Sequence, residues 1–181
     1  DVRKYFDSIP HAILVDLLCR RIKDDDLIGL IDSIVESYRT TPGRGVPIGN
    51  LTSQHLANFY LAHVDHLVKD TLRVPGYVRY MDDMLLFHDS PSTLTTVRKS
   101  MEQYLIETLG LTVKPAITGP TTGGVPFLGF IVKPTGIVLT RRKRRLARAR
   151  TAYAYQMLAA GRWSHDEFSA HIQPVFSHLS L

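Results

Sequence analysis

"YVRYMDDMLLF", Tyr77 to Phe87, sets two adjacent aspartates between two apolar runs. The flanks "YVRY" and "MLLF" are rich in aromatic and bulky apolar residues, as strands are, and Asp82-Asp83 suits a tight turn between them. A hairpin is expected, with both carboxylates at its tip. Carboxylates among apolar neighbours are costly to bury unless they are paired or bound to a cation. Adjacent residues of an extended chain point to opposite sides, so the two aspartates should not do equal work. Asp-Asp is also a common turn dipeptide, and the hairpin by itself leaves a purely structural role open.

Outward from the hairpin the pattern alternates. Val2 to Ile9 reads as a strand running into a turn, with Pro10 suited to a helix start. Ile13, Leu14, Leu17, Leu18 and Ile22 keep helical spacing. "DDD" at 24–26 can cap a second helix whose apolar face is Leu27, Leu30, Ile31, Ile34 and Tyr38. The Gly/Pro-rich stretch "TTPGRGVPIGN", 40–50, must be loop. A long helix is expected from Ser53 to about Leu72, broken by "VPG" at 74–76. After the hairpin comes a helix from Pro91 to Leu109, with Ser90 before it and Gly110 after it. "LTVKPAIT", "PFLGFIV" and "GIVL" read as short strands. From Thr140 the pattern is helical to about Ala160, and a last helix is expected near 165–179. Helices between strands that share a sheet give an α+β fold, with helices on one face of a mainly antiparallel sheet. A composition change near residue 140 divides the chain into 1–139 and 140–181.

The 181 residues suffice for a sizeable core, and 44% hydrophobic with 22% charged is the balance of a soluble globular protein. No apolar run reaches membrane-spanning length, so no membrane partner is expected. The single cysteine, Cys19, lies in a periodic apolar segment; a buried reduced thiol and a cytoplasmic location are expected. The net charge of +5 favours a polyanionic partner. Residues 141–150, "RRKRRLARAR", hold seven basic side chains and no acid. "DVRKYFDSI" at the start reads as an element already under way, so an internal fragment of a longer protein is expected.

Carboxylates on rigid backbone suit phosphoryl transfer by two metals roughly 4 Å apart, which clamp the attacking and leaving oxygens. Mg²⁺ takes one or two carboxylates plus substrate phosphates and water. Asp82 and Asp83 meet part of this need, and Asp1, at a strand start, can lie beside the hairpin tip. Two other features carry less. His63 and His66 have zinc-pair spacing but no third ligand, and Gly43, Gly45 and Gly49 lack the Lys-Ser/Thr of a phosphate loop.

"YMDD" between apolar strands resembles the polymerase signature of reverse transcriptases, and the rest of the chain matches in order. "DVRKYFDSI" resembles their first catalytic motif, and "GVPIGNLTSQHLANFYL" the loop-helix under the template and incoming nucleotide. "LGLTVKPAIT" is similar to the motif that follows, and "PFLGFIV" to the hairpin that grips the primer. The basic helix after 140 stands where the thumb begins. The resemblance implies a palm over 1–139, with the fingers missing upstream, and the start of a helical thumb over 140–181. Asp1, Asp82 and Asp83 would be catalytic, with Asp1, Asp82 and the Val2 carbonyl as ligands to two Mg²⁺ ions, or Mn²⁺ as a substitute. Arg3, Lys4, Phe6, Ile48, Gly49 and Gln54 would bind the nucleotide, Phe6 as the steric gate against a ribose 2′-hydroxyl. Phe127, Leu128 and Gly129 would grip the primer, and Arg141, Arg142, Lys143, Arg144 and Arg145 the nucleic-acid backbone. Partners would be an RNA template, a DNA or RNA primer and deoxynucleoside triphosphates.

Many bacterial members read "QG…SP" where this chain has Ile48-Gly49 and Ser53-Gln54. That variant resembles the error-prone enzymes of diversity-generating retroelements, which work with a small basic accessory protein. Ile48 can only pack where a Gln amide would hydrogen-bond, which weakens discrimination between base pairs. The alternatives are a group II intron or retron-type enzyme, and a non-catalytic nucleic-acid-binding palm. Ile117 departs from the family, which often has a Lys just before the residue corresponding to Thr118; Lys114 is the replacement within reach. Without fingers, the 181-residue chain alone is expected not to polymerise.

Overall fold

Leu56, Ala57, Tyr60, Leu61 and Val64 recur at helical spacing, and all five are buried on one side of α4 (Leu51–His66). Asn50 caps this helix: its side-chain oxygen accepts from the Thr52 N–H at 3.1 Å. The computed structural model describes residues 1–177, which form two compact units, Asp1–Ala116 and Ile117 onward. Residue 140, where the composition changes, falls inside the second unit.

In the first unit two tyrosine hydroxyls tie the middle of α4 to its surroundings. Tyr5 donates to the Ala57 carbonyl at 2.5 Å and Tyr60 donates to the Leu109 carbonyl at 2.7 Å. Burial pushes both phenols far above their ordinary pKa. Around it pack α1 (Tyr5–Ser8), α2 (His11–Arg21), α3 (Asp25–Glu36) and α5 (Pro91–Glu107). His11, Leu14 and Leu18 are the buried residues of α2, and Val97, Met101 and Leu105 those of α5. Ser90 caps α5 through the Thr93 N–H, and Asp24 caps α3 through the Leu27 N–H. The helix continues past α4 as a π-turn, Leu67–Thr71, closed by the Leu72 N–H on the Leu67 carbonyl at 2.9 Å. β1 (Gly76–Tyr80) and β2 (Asp83–Phe87) then form the antiparallel hairpin.

The fold is α+β, as the alternating pattern implies, but several local expectations fail. Val2–Ile9 is not a strand: only Val2 pairs, in a single bridge to Val113. Lys4 is left-handed at φ 47°, and Tyr5 and Ile9, four apart, are both buried, which is helical rather than strand spacing. "LTVKPAIT" likewise contributes only Val113, since Pro115 has no N–H to donate. The inner face of α3 is rotated by one residue: Ile28, Ile31 and Val35 face the core, while Leu27 and Leu30 are exposed. Cys19 is exposed, not buried, because it lies about 100° round the helix from Leu18. The strands form two sheets, not one.

In the second unit β3 (Val125–Phe127), β4 (Phe130–Lys133) and β5 (Gly136–Leu139) form an antiparallel meander. α6 (Arg141–Ala159) packs on α7 (His165–Ser177) through an aromatic seam, with Tyr153 on Trp163 at 5.6 Å and Tyr155 on Phe168 at 5.0 Å. Ser164 and Glu167 form a reciprocal capping box at the start of α7. Residues 178–181, including the expected end of this helix, lie outside the described residues.

Candidate active site

The hairpin turn is Met81-Asp82, because Tyr80 pairs with Asp83 across the strands. The expected Asp82-Asp83 turn is thus shifted by one residue, and Asp83 already belongs to β2. Met81 has φ 53°. A positive φ at the first central residue is the hairpin-compatible arrangement, and it normally selects glycine. Asp82 and Asp83 are both half-buried, one in the turn and one in the strand. The two carboxylates therefore leave different backbone settings.

β1 holds the turn against α4 through its inward face. Tyr77 and Arg79, two apart, both reach Asp65. Tyr77 donates to Asp65 Oδ1 at 2.8 Å, and Arg79 forks onto it with Nε at 2.7 Å and Nη2 at 2.6 Å. Arg79 Nη1 also donates to Asn58 Oδ1 and to the Met81 carbonyl, each at 3.1 Å. Burial alone would raise the Asp65 carboxyl, but the Arg79 and Tyr77 hydrogen bonds outweigh it and hold its pKa below the ordinary value. A groove of about 710 Å³ runs beside this cluster, lined by Gln54, Asn58, Asp65, Arg79, Tyr80 and Met81 among others.

Asp1 comes in from another direction. Its carbonyl accepts from the Lys114 N–H at 2.9 Å, and the Arg3 N–H donates to the Thr112 carbonyl at 2.7 Å. These bonds flank the Val2–Val113 pair, so Val2's own carbonyl points to the opposite edge. Lys114 Nζ donates to Asp1 Oδ2 at 2.6 Å. Asp83 and Asp82 lie close enough to the Asp1 backbone nitrogen to act on it electrostatically. Asp1, Asp82 and Asp83 therefore share one electrostatic neighbourhood, with Lys114 as a cation beside them. Ile117, the first residue of the second unit, is 90% exposed.

Among the described residues no three His, Cys, Asp or Glu side chains are gathered to hold a metal ion. The donor chemistry still fits: Asp82 and Asp83 offer hard carboxylate oxygens at the hairpin, and Asp1 offers another beside Lys114. Mg²⁺ is ordinarily held by one or two carboxylates with substrate phosphates completing the shell, rather than by an all-protein cage.

The other expected residues are placed as follows. Arg3 and Lys4 are exposed. Phe6 is half-buried against the core, with its ring edge-on to Tyr5 at 5.8 Å. Ile48 is 68% exposed, Gly49 is left-handed at φ 90° with open space around it, and Gln54 lines the groove with Met81. In the second unit, Leu128 and Gly129 form the β3–β4 turn, both at positive φ, and Phe127 precedes them. Lys143 donates to the Leu128 carbonyl at 2.9 Å and lies 4.2 Å from the Phe130 ring centre. A side chain at 129 would collide with it. Lys143 is thus engaged in holding the turn, whereas Arg141, Arg142, Arg144 and Arg145 are exposed with no acid in the first turn of α6.

Sequence reasoning missed Arg79 and Asp65. The signal present was the alternation of Tyr77 and Arg79 on one strand face, but their common partner is known only once α4 is packed against the hairpin.

Comparison with known proteins agrees with this geometry. The family described as reverse transcriptase (RNA-dependent DNA polymerase) matches residues 1–132. A 91 kDa protein in a cob intron of Schizosaccharomyces pombe is 37% identical over 76 residues, covering 39% of this chain and 9% of that protein. A protein assigned to intron 2 of COX1/OXI3 in Saccharomyces cerevisiae is 31% identical over 78 residues, again 39% of this chain and 9% of the relative. The family match runs from Asp1 through the hairpin to β4, so it takes in Asp1, the Asp82-Asp83 pair and the groove beside α4. The chain belongs to the reverse transcriptase family of RNA-directed DNA polymerases.

Proposed function

We propose that Asp1, Asp82 and Asp83 form the reaction centre of template-directed DNA synthesis on RNA. The observation that supports this reading is the family match, which spans Asp1 and the Met81-Asp82 turn together. The reaction is attack of a primer 3′-hydroxyl on the α-phosphate of a deoxynucleoside triphosphate, with pyrophosphate leaving. Two bound Mg²⁺ ions would supply charge neutralisation and activation of the hydroxyl, held by Asp1, Asp82 and the Val2 carbonyl. Asp83 supports the centre from β2. Lys114, already beside Asp1, is the group placed to balance charge there and to give a proton to the leaving pyrophosphate. Gln54, Ile48 and Gly49 border the nucleotide on the α4 side, with Arg3 and Lys4 toward the triphosphate. In this reading residues 1–139 are palm and 140 onward begins the thumb.

Arg141, Arg142 and Arg144 in the first turn of α6, with Arg145 just after it, are exposed and oppose the positive end of the helix dipole and one another. A nucleic-acid backbone relieves both costs, and Phe127, Leu128 and Gly129 form the turn that would meet the primer.

Phe6 tests the substrate reading. In a close-fitting pocket one small group is worth roughly 1–3 kcal/mol. Phe6→Val is therefore expected to lower the preference for deoxynucleotides over ribonucleotides by about ten- to a hundredfold in single-nucleotide insertion assays. An unchanged preference assigns Phe6 to the core alone.

Two subtypes remain in play on different observations. Ile48 and Gln54 support an error-prone retroelement enzyme. The two relatives, both named for introns, support an intron-type enzyme. A new hydrogen bond is worth roughly 0.5–1.5 kcal/mol. For the first subtype, Ile48→Gln should cut misincorporation opposite adenine by about two- to tenfold. An error spectrum equal to that of the parent favours the second.

A further inference from the structure

We propose that Arg79 is a positioning residue for nucleotidyl transfer, fixing through its fork on Asp65 the peptide that carries Asp82. The proposal rests on the reading of Asp82 as a reaction-centre carboxylate.

Four side-chain hydrogen bonds leave the Arg79 guanidinium little freedom. Nε and Nη2 are spent on the two oxygens of Asp65, and Nη1 is shared between Asn58 and the Met81 carbonyl. Tyr77 takes a further lone pair of Asp65, so the acceptor is locked as well as the donor. The guanidinium is 13% exposed and its pKa is raised, chiefly by its hydrogen bonds to Asp65. A planar fork on a carboxylate fixes orientation in a way a point charge does not.

The Met81 carbonyl is the one bond from this cluster that reaches the turn. A peptide unit is planar, so the Met81 oxygen and the Asp82 N–H move together. Holding that oxygen sets the plane from which the Asp82 side chain departs. Met81 is also in the left-handed region, which an L residue occupies at a cost and only when its surroundings impose it. Arg79 is the side chain whose hydrogen bond imposes it from the α4 side. Reaction-centre carboxylates must be held to about 0.5 Å, which an unbraced two-residue turn does not provide.

The test compares Arg79→Lys and Asp65→Asn in the protein encoded by the complete reading frame. Readouts are single-nucleotide kinetics, Mn²⁺ binding by electron paramagnetic resonance without substrate, and melting temperature. Partners that orient reaction-centre ligands cost roughly ten- to a hundredfold when removed. Arg79→Lys is expected to lower kcat per folded molecule and Mn²⁺ affinity in that range, leaving KM for the nucleotide unchanged. Asp65→Asn, which keeps the shape but loses the charge, is expected to show the same pattern. A clamp that serves folding alone would lower the melting temperature while kcat per folded molecule and Mn²⁺ affinity stay at parental values, and that result overturns the proposal. Asp82→Asn runs beside them. If it leaves synthesis intact, the reading of Asp82 fails; if it silences synthesis while both variants are neutral, the positioning role alone fails.

Discussion

Asp82→Asn is expected to abolish primer extension while leaving the fold intact. Charge stabilisation of a phosphoryl-transfer transition state is worth several kcal/mol, and each 1.36 kcal/mol is tenfold in rate, so the loss should be on the order of a thousandfold or more. The structure separates this from a folding defect. No hydrogen bond or ion pair holds the Asp82 carboxylate among the described residues, and it is half-buried near Asp1 and Asp83. Removing it relieves repulsion, so the change in stability should stay within about 0.5 kcal/mol. Asp83→Asn should cost less, about ten- to a hundredfold, because Asp83 supports the centre from the strand. Steady-state extension with both variants, alongside urea unfolding, checks the pair. Equal losses would overturn the unequal roles, and full activity of both would favour a non-catalytic nucleic-acid-binding palm.

Tyr60→Ala should be the most damaging change to stability. Tyr60 is the largest fully buried side chain of the core, and its hydroxyl supplies the Leu109 carbonyl at 2.7 Å. Truncating a buried aromatic costs about 3–5 kcal/mol. A domain of this size has about 5–15 kcal/mol in all. Tyr60→Phe should cost about 1–3 kcal/mol, for it leaves only the carbonyl unsatisfied. Denaturant midpoints measure both. The effect reaches function because α4 also carries Gln54 and Asp65; a loss below 1 kcal/mol for Tyr60→Ala would mean α4 is not the spine described here.

How much of this was legible in the sequence depends on the range of the interaction. The existence of the hairpin and of the long helix α4, and the capped starts of α3 and α5, follow from neighbours within a few residues, and there sequence and structure agree. The proposed partnership of Asp1 with the hairpin rests on motif order, since spacing says nothing about two segments some 80 residues apart. Val2–Ile9 misled because a strand needs a partner along its length, and only Val113 was there. The rotation of α3 was decided by which of two nearly equal apolar stripes met the core. Met81, with its Cβ, is a poor residue for a positive φ, so turn chemistry pointed one residue too far along. Arg79 and Asp65 look like ordinary surface charges until helix and hairpin meet.

The contact between Asp1 and Lys114 spans 113 positions of chain. Contacts of such separation are late events in folding, since the intervening segment must first be organised. During synthesis at about 5–20 residues per second, Asp1 waits on the order of ten seconds before Lys114 has been made. The hairpin can form meanwhile, but it then has two carboxylates and no third. If the proposed three-carboxylate centre is required, chemical competence would arrive only when this contact closes, and a nascent or partly unfolded chain would be mute rather than weakly active.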